Sequence, residues 1–364
     1  MRFSWWKKWK KEKSQDLVGV DIGSSSLKVV ELRRKGKALE LLAAGVAELE
    51  SAWIRDGEIR NVPAVSGALS RLLEERGVMA RDVATSVAGN AVMVRRVAVP
   101  EAEGEKLGEL IVAEAQRQFS SDVSELNIDY QVLGPGLAPK TLDVMLVAAR
   151  REMIAHRAEV VTAAGRNPAV VDLDSFAVER AFETAYQPAP GQTVALVNLG
   201  ANQMNVNIVR DGASVFTRDT SSAAQYTAAL QKSLDVSASE AEALKSGRDG
   251  TAVAETFLGA GGPARDAFLD SLAGDVQRTV AYFRQMAGPT GHAEINLAYV
   301  SGGAAALPGL CERLQQELGT RVEVLDPLRG MRVSESGLDS GRLSEISPRL
   351  AVAVGLALRS FDVP

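Results

Sequence analysis

The sequence predicts a two-lobed α/β protein with a separate α+β segment inserted into the first lobe. The first observation is residues 17–32, LVGVDIGSSSLKVVEL, where apolar positions alternate around a small-residue turn, the pattern of two paired strands. The second is a repeat. Laying VDIGSSSL at 20–27 on VNLGANQM at 197–204 puts Gly23 on Gly200, Asp21 on Asn198, and Ser24, Ser25 and Ser26 on Ala201, Asn202 and Gln203. Two like hairpins far apart in the chain imply two related lobes. The third is that 84–165 runs strand, helix, strand, strand, helix without any turn of this kind.

Taken in order, the chain opens on MRFSWWKKWKKEK, where Phe3, Trp5, Trp6 and Trp9 alternate with Arg2 and five lysines. Aromatic rings that settle at headgroup level beside lysines suit an anionic membrane surface. A partner-binding tail or an inert arm has the same composition. After the first hairpin, 38–48 reads as a third strand. Residues 62–76 form an amphipathic helix through Val65, Leu69, Leu72 and Leu73, stopped at Gly77. Strands follow at 83–87 and 92–99, the second broken by Pro100. Within the insertion the helix is 105–119, the strands lie near 128–133 and 142–148, and 151–164 is the closing helix. A strand at 170–173 and a helix at 175–185 precede QPAPGQ at 187–192, a hinge by composition. The second hairpin spans 194–209 and Asp211-Gly212 turns into another strand at 214–218. Helices are expected at 226–234, 238–246 and 266–286, a strand at 295–300 leading into Ser301-Gly302-Gly303, and a helix at 310–318. The polar, serine-rich 331–345 reads as a surface loop. Residues 348–358, rich in small side chains, form a last helix whose Gly355 permits close backbone approach.

A chain of 364 residues exceeds one average domain. Its 46% hydrophobic and 24% charged residues exclude wholesale disorder, and a net charge of -5 gives no general basic field for nucleic acid. The single cysteine, Cys311, allows no internal disulfide and reads as a small buried apolar residue. No apolar run reaches the length of a membrane span, and the N-terminus lacks a signal-peptide core, so a cytoplasmic location is expected. The motifs GxxxxGK[ST], HExxH and GxSxG are absent, and His156 and His292 stand alone.

The hairpin tip GSSS offers backbone N–H groups and hydroxyls in a concave turn suited to phosphate oxygens. Lys28 supplies a point charge for a phosphate, and Asp21 a carboxylate that can hold Mg²⁺ through water. An ordinary serine-rich turn shares that composition.

Five pieces stand in sequence: DIGSSSLK, DLDSFAVERAF, NLGANQMN, YVSGGAAALPGL and SPRLAVAVGLAL. Their order and spacing resemble the actin-like ATPase superfamily, a two-lobed fold of duplicated ribonuclease H-like sheets, where they serve as phosphate 1, connect 1, phosphate 2, adenosine and connect 2. The insertion sits where FtsA-like proteins carry an α+β 1C-type subdomain. Within the superfamily the chain is most similar to the type IV pilus assembly PilM family, from VGVDIGSSSLKVVEL through RRVAVP and VDLDSFAVERAF to AVAVGLALR.

The resemblance implies a division into an arm at 1–14, lobe I at 15–83 and 167–190, the insertion at 84–166, lobe II at 191–345, and a helix at 346–364 returning to lobe I. It implies that ATP is bound by Gly23, Ser24, Ser25, Ser26 and Lys28 on one side and by Asn198, Gly200, Ala201, Asn202 and Gln203 on the other. Asp21 would stand near Mg²⁺, and Gly302 and Gly303 would lie against the nucleoside. Glu242 and Lys245 fall where relatives clamp the nucleoside, although their three-residue spacing also fits an exposed helical ion pair. Asp174 occupies the position that orients an attacking water, and a helix-capping carboxylate explains it equally well. Asn198 replaces the aspartate usual in phosphate 2, keeping an acceptor but losing a charge, so slow or absent hydrolysis is expected. The partner implied is the short cytoplasmic N-terminal segment of a PilN-like inner-membrane protein, held between lobe I and the insertion, with other pilus platform proteins and motor ATPases as further partners. The protein would then sit peripherally at the inner membrane. Rival readings are a GspL-like secretion adaptor, an FtsA-like filament former and a small-molecule kinase of the same superfamily.

Overall fold

A six-stranded and a five-stranded sheet, which share five strands of the same topology, form the body of the molecule, seen in a computed structural model that describes residues 17–55, 57–89, 92–119, 122–136, 138–220, 222–245, 263–287, 294–334 and 340–361. The basic aromatic arm at 1–14 and His292 lie outside these residues. In lobe I, β1 (Leu17–Ile22), β2 (Ser26–Lys35) and β3 (Ala38–Glu48) make an antiparallel meander. The short strands β4 (Ile54–Arg55) and β5 (Glu58–Ile59) pair with each other and lead into helix α1 (Val62–Glu75). Strand β6 (Asp82–Val87) then lies parallel to β1.

Strand β7 (Val92–Pro100), helix α2 (Gly104–Gln118), β8 (Leu126–Pro135) and β9 (Thr141–Arg150) build a separate three-stranded sheet, ordered β7-β9-β8. Its core is Val97, Val99, Leu107, Ile111, Val144 and Leu146. Helix α3 (Arg151–Ala163) follows β9 directly, and β10 (Asn167–Leu173) completes the lobe I sheet alongside β6. The insertion is therefore narrower than the sequence implied. Strand β6 belongs to the main sheet, and α3 packs on α1 through Val160 and Val161, so the separate sheet occupies 92–150.

Helix α4 (Asp174–Tyr186) leads to lobe II, where β11 (Thr193–Leu199), β12 (Met204–Arg210) and β13 (Ala213–Thr220) repeat the meander. Helices α5 (Ser222–Leu234), α6 (Ala238–Lys245) and α7 (Pro263–Ala287) precede β14 (Leu297–Gly302), helix α8 (Leu310–Leu318) and β15 (Arg321–Val324). The orders β10-β6-β1-β2-β3 and β15-β14-β11-β12-β13 correspond strand for strand, with the parallel and antiparallel pairs in matching places. The duplication read from two turns thus extends through both sheets.

Residues 331–345 differ from the expected surface loop. Strand β16 (Arg332–Val333) adds in parallel to the free edge of β3, and helix α9 (Ser340–Ile346) buries Leu343 beneath the C-terminal segment. A few apolar anchors suffice to dock an otherwise polar stretch. Helix α10 (Ala351–Ala357) is flanked by two 3₁₀ turns, at Ser347–Leu350 and Leu358–Phe361, where a continuous helix was expected.

Helices α4 and α10 lie between the two sheets, sharing a core with Leu17, Ala84, Val194, Leu196 and Tyr299 from both lobes. The helices meet backbone to backbone: a Cβ on Gly355 would stand 1.8 Å from the Ala177 carbonyl oxygen. Gly19 of β1 allows the same approach, since a Cβ there would meet the Ala353 oxygen at 2.0 Å. A buried ion pair between Arg359 and Asp172 of β10 fastens the chain's end to lobe I.

Candidate functional site in the cleft between the lobes

Both hairpin tips close with the same backbone bond. The Gly23 N–H donates to the Ser26 carbonyl at 3.1 Å, and the Gly200 N–H to the Gln203 carbonyl at 2.9 Å. Each glycine admits its turn because a Cβ would press on that carbonyl. The tips project from the same ends of equivalent strands and face each other across one cavity. Its lining includes Asp21, Gly23, Ser24, Ser25 and Lys28 from lobe I, and Asn198, Gly200, Ala201, Asn202, Gln203, Gly302 and Gly303 from lobe II.

The hairpin register places Asp21 opposite Lys28 and Asn198 opposite Asn205. Lys28 Nζ is 3.1 Å from Asp21 Oδ2, and both side chains are largely buried. Asn198 Oδ1 accepts from the Ser301 hydroxyl at 3.2 Å, so its oxygen is engaged inside lobe II. Ser26 is buried and accepts from Arg349 at 3.2 Å, which places it behind the tip, out of the cavity lining. Gly302 has φ +94° and a Cβ there would come within 2.4 Å of the Leu199 oxygen, so only glycine brings β14 this close to the tip of β11.

Asp174 enters the cavity as the first residue of α4. The residue before it, Leu173, holds the capping position, so capping does not account for the carboxylate. Burial pushes its pKa up to about 7, and the neighbouring Asp21 adds to the shift, while Ser86 and Arg157 oppose it.

Four polar cavity residues escaped the sequence reading. Asn205 was within reach, because the shift that lays Asp21 on Asn198 also lays Lys28 on Asn205. Asp219 on β13 accepts from Asn205 Nδ2 at 2.7 Å and from the Gly89 N–H at 2.8 Å, a bond between the lobes. Burial raises its pKa as well. Arg157 of α3 falls on the helix's apolar stripe with Met153, Ile154, Val160 and Val161, an arginine where a core residue belongs. Arg349 reaches Ser26 and Glu48 from the C-terminal turn. Glu242 and Lys245 lie on α6, but their side chains fall outside the described residues.

The cleft is shut. The Gln203 amide lies over Gly57 and Gly89, which have φ +80° and +77°, and a Cβ on Gly89 would be 2.0 Å from Gln203 Nε2. About 80 Å³ stays free between the tips, below the roughly 300–1,000 Å³ of small-molecule pockets. That space is too small for a nucleotide. Next to this cavity is a groove of about 650 Å³, lined by β7 and β9 of the inserted sheet, the start of α4, β13, and Tyr282 and Met286 of α7.

The sequence matches the family "Type IV pilus assembly protein PilM" across residues 19–361. This chain belongs to that family. A solved structure described as "PilM-PilN type IV pilus biogenesis complex" is similar over 97% of this chain and 100% of that one, with 26% identity and TM-score 0.83. The ethanolamine utilization protein EutJ from Carboxydothermus hydrogenoformans is similar over 94% of this chain and 88% of that one, at 16% identity and TM-score 0.52, a likeness of fold alone. The PilM-family chain thus has the two-lobed actin-like fold. Among its described residues no helix is long and apolar enough to cross a membrane.

Proposed function

We propose that this chain is an ATP-binding adaptor of type IV pilus assembly, whose nucleotide sets the closure of its lobes and whose partner is the N-terminal cytoplasmic segment of a PilN-like inner-membrane protein. The observation that carries the nucleotide reading is the pair of equivalent tips, Gly23–Ser25 and Gly200–Gln203, turned toward one cavity. The residues present fit a triphosphate. Glycines admit the backbone where a Cβ would collide, Lys28 and Arg157 supply positive charge, and Ser24 and Ser25 bring hydroxyls. Among the described residues no three acidic, histidine or cysteine side chains cluster to hold a metal unaided. That suits Mg²⁺, which binds through one or two carboxylates, water and phosphate oxygens, with Asp21 as its carboxylate. Bound there, the ion would screen the charge of the phosphates.

Hydrolysis is slow on this reading. Asn198 brings no charge, and Asp174, the residue placed to orient water, is partly protonated near neutrality.

The 650 Å³ groove fits an extended apolar peptide. Val92, Met93 and Val94 line it from β7, whose outer edge is unpaired among the described strands, and Phe216, Tyr282 and Met286 face them. The solved complex of the similar protein supports a partner of this kind. Because the groove draws residues from the insertion and from lobe II, lobe closure alters its width. The protein's place is then peripheral at the inner membrane, through that partner and the basic aromatic arm. Calorimetry with ATP, followed by pull-down of a PilN-like N-terminal peptide with and without ATP, tests the whole: nucleotide binding that changes peptide capture is the expected result, and nucleotide-independent capture removes the switch.

A further inference from the structure

Arg157 reaches the floor of the cleft from α3. The residue is 6% exposed, and neither Nε nor Nη1 has a hydrogen-bond partner among the described residues. Asp174 and Asp21 attract the guanidinium through space, but neither bonds those two nitrogens. Asp21 is already engaged by Lys28. A cation taken out of water without a hydrogen-bonded partner costs several kcal/mol, and a folded core tolerates an arginine on an apolar helix stripe only where something repays that cost. Beside the carboxylates Asp21, Asp174 and Asp219, its cavity brings together the N–H donors of the Gly23–Ser25 turn and two more cations, Lys28 and Arg349. Such a set is built for an anion, and the planar fork of a guanidinium matches phosphate oxygens two at a time.

We propose that Arg157 is a ligand of the nucleotide's terminal phosphate and the residue by which this chain tells ATP from ADP. The proposal rests on the nucleotide reading above. Its electrostatic partners, Asp174 and Asp21, mark the end of the cleft where an attacking water and Mg²⁺ would stand, so the arginine meets the last phosphate of the chain. Helix α3 starts at the residue after β9 ends, with Arg150 and Arg151 adjacent. A pull on Arg157 therefore acts on the helix that continues a strand of the inserted sheet, and that sheet forms one wall of the 650 Å³ groove. One phosphate contact thereby reaches the surface assigned to the peptide.

The test compares the full chain with its Arg157→Gln and Arg157→Lys variants by calorimetry against MgATP and MgADP, with thermal melting in the absence of nucleotide. Arg157→Gln is expected to lose about tenfold or more of its ATP affinity while ADP affinity stays within about twofold. Arg157→Lys keeps the charge but not the fork, and recovers part of the loss. The melting temperature without nucleotide stays level or rises, because an unrepaid buried charge has been removed. Equal losses for ATP and ADP, no loss for either, or a variant that melts lower without nucleotide would each overturn the proposal, the last by marking Arg157 as a structural residue. Failure of Arg157→Gln to fold without nucleotide is the extreme of that last outcome and overturns the proposal in the same way. A wild-type chain that binds neither nucleotide is a different outcome, which removes the nucleotide reading and this proposal with it.

Discussion

Lys28 Nζ lies 3.1 Å from Asp21 Oδ2, across a directly opposed pair in the β1–β2 hairpin. The pair sits immediately below the glycine turn, where a Cβ on Gly23 would come within 2.8 Å of the ammonium. In this arrangement the lysine occupies the carboxylate that Mg²⁺ would use. Were MgATP to bind as proposed, Asp21 would be the residue to hold the ion and Lys28 the one to meet a phosphate. Lys28→Ala removes a charge-assisted contact, so ATP affinity is expected to fall by roughly 1–3 kcal/mol in calorimetry. Unchanged affinity would show that the lysine serves only to neutralise Asp21.

Asp174 carries the pH dependence. Its pKa of about 7, against 3.8 for a free carboxyl, means that the folded protein holds its proton through most of the acidic range. Above about pH 7 a second negative charge appears beside Asp21, facing the phosphates. In the absence of Mg²⁺, ATP affinity is expected to decline between pH 6 and 8.5, and Asp174→Asn to flatten that decline. The native state binds the extra proton between pH 3.8 and about 7, so the same group lowers stability as pH rises through that window. Asp174→Asn removes this group's share of the slope in denaturant titrations. Parallel curves for variant and wild type would place the proton elsewhere.

What was legible in the sequence follows from what each feature needs. The repeated glycine turn and alternating strands mark both sheets, because register and tight turns depend on local residue types. The cavity residues Asp219 and Arg157 depend on contacts across the fold: β13 meets Gly89 across the cleft, and Arg157 looks like an interruption of the α3 stripe until the cleft beneath it is seen. Strand β6 was assigned to the insertion because a buried parallel strand has no alternation to separate it from its neighbours. The docked segment 331–346 is polar in composition, and its few anchors act through the C-terminal core.

The basic aromatic arm, outside the described residues, yields a prediction from composition alone. Full-length protein should be retained by vesicles containing anionic lipid better than a variant lacking residues 1–13, and added salt should reduce the difference. Equal retention removes a membrane role for the arm.

Gly355 sets how closely α10 crosses α4. Its missing Cβ would lie 1.8 Å from the Ala177 oxygen and 2.7 Å from the Ala177 Cα, both backbone atoms that cannot swing aside. Gly355→Ala must separate the two helices that join the lobes, at a cost of about 1–3 kcal/mol in chemical denaturation. A helix-propensity gain of about 1 kcal/mol acts in the opposite direction. An unchanged or raised stability would mean that the helices slide without loss.

Glu179 is a further buried acid between the lobes. It projects from α4, is 5% exposed, and accepts from Asn207 Nδ2 of β12 at 3.2 Å, while Ser214 of β13 donates to the Asn207 oxygen at 2.6 Å. Burial, then the nearby Glu183, push its pKa up to about 8, from 4.5 in a free side chain. The folded state therefore binds more protons than the unfolded chain between pH 4.5 and 8, and stability falls as pH rises across that interval. Glutamine keeps the size and the acceptor oxygen without the charge. Glu179→Gln is expected to match wild type near pH 4.5 and to exceed it by a few kcal/mol at pH 9, read from urea unfolding at the two pH values. Because α4 is shared by both lobes, the same variant should hold the lobes together at alkaline pH, seen as slower hydrogen exchange at β12 and β13. A wild type and variant with identical pH slopes would mean that Glu179 stays ionised in the fold, with water reaching it between the helix and the sheet.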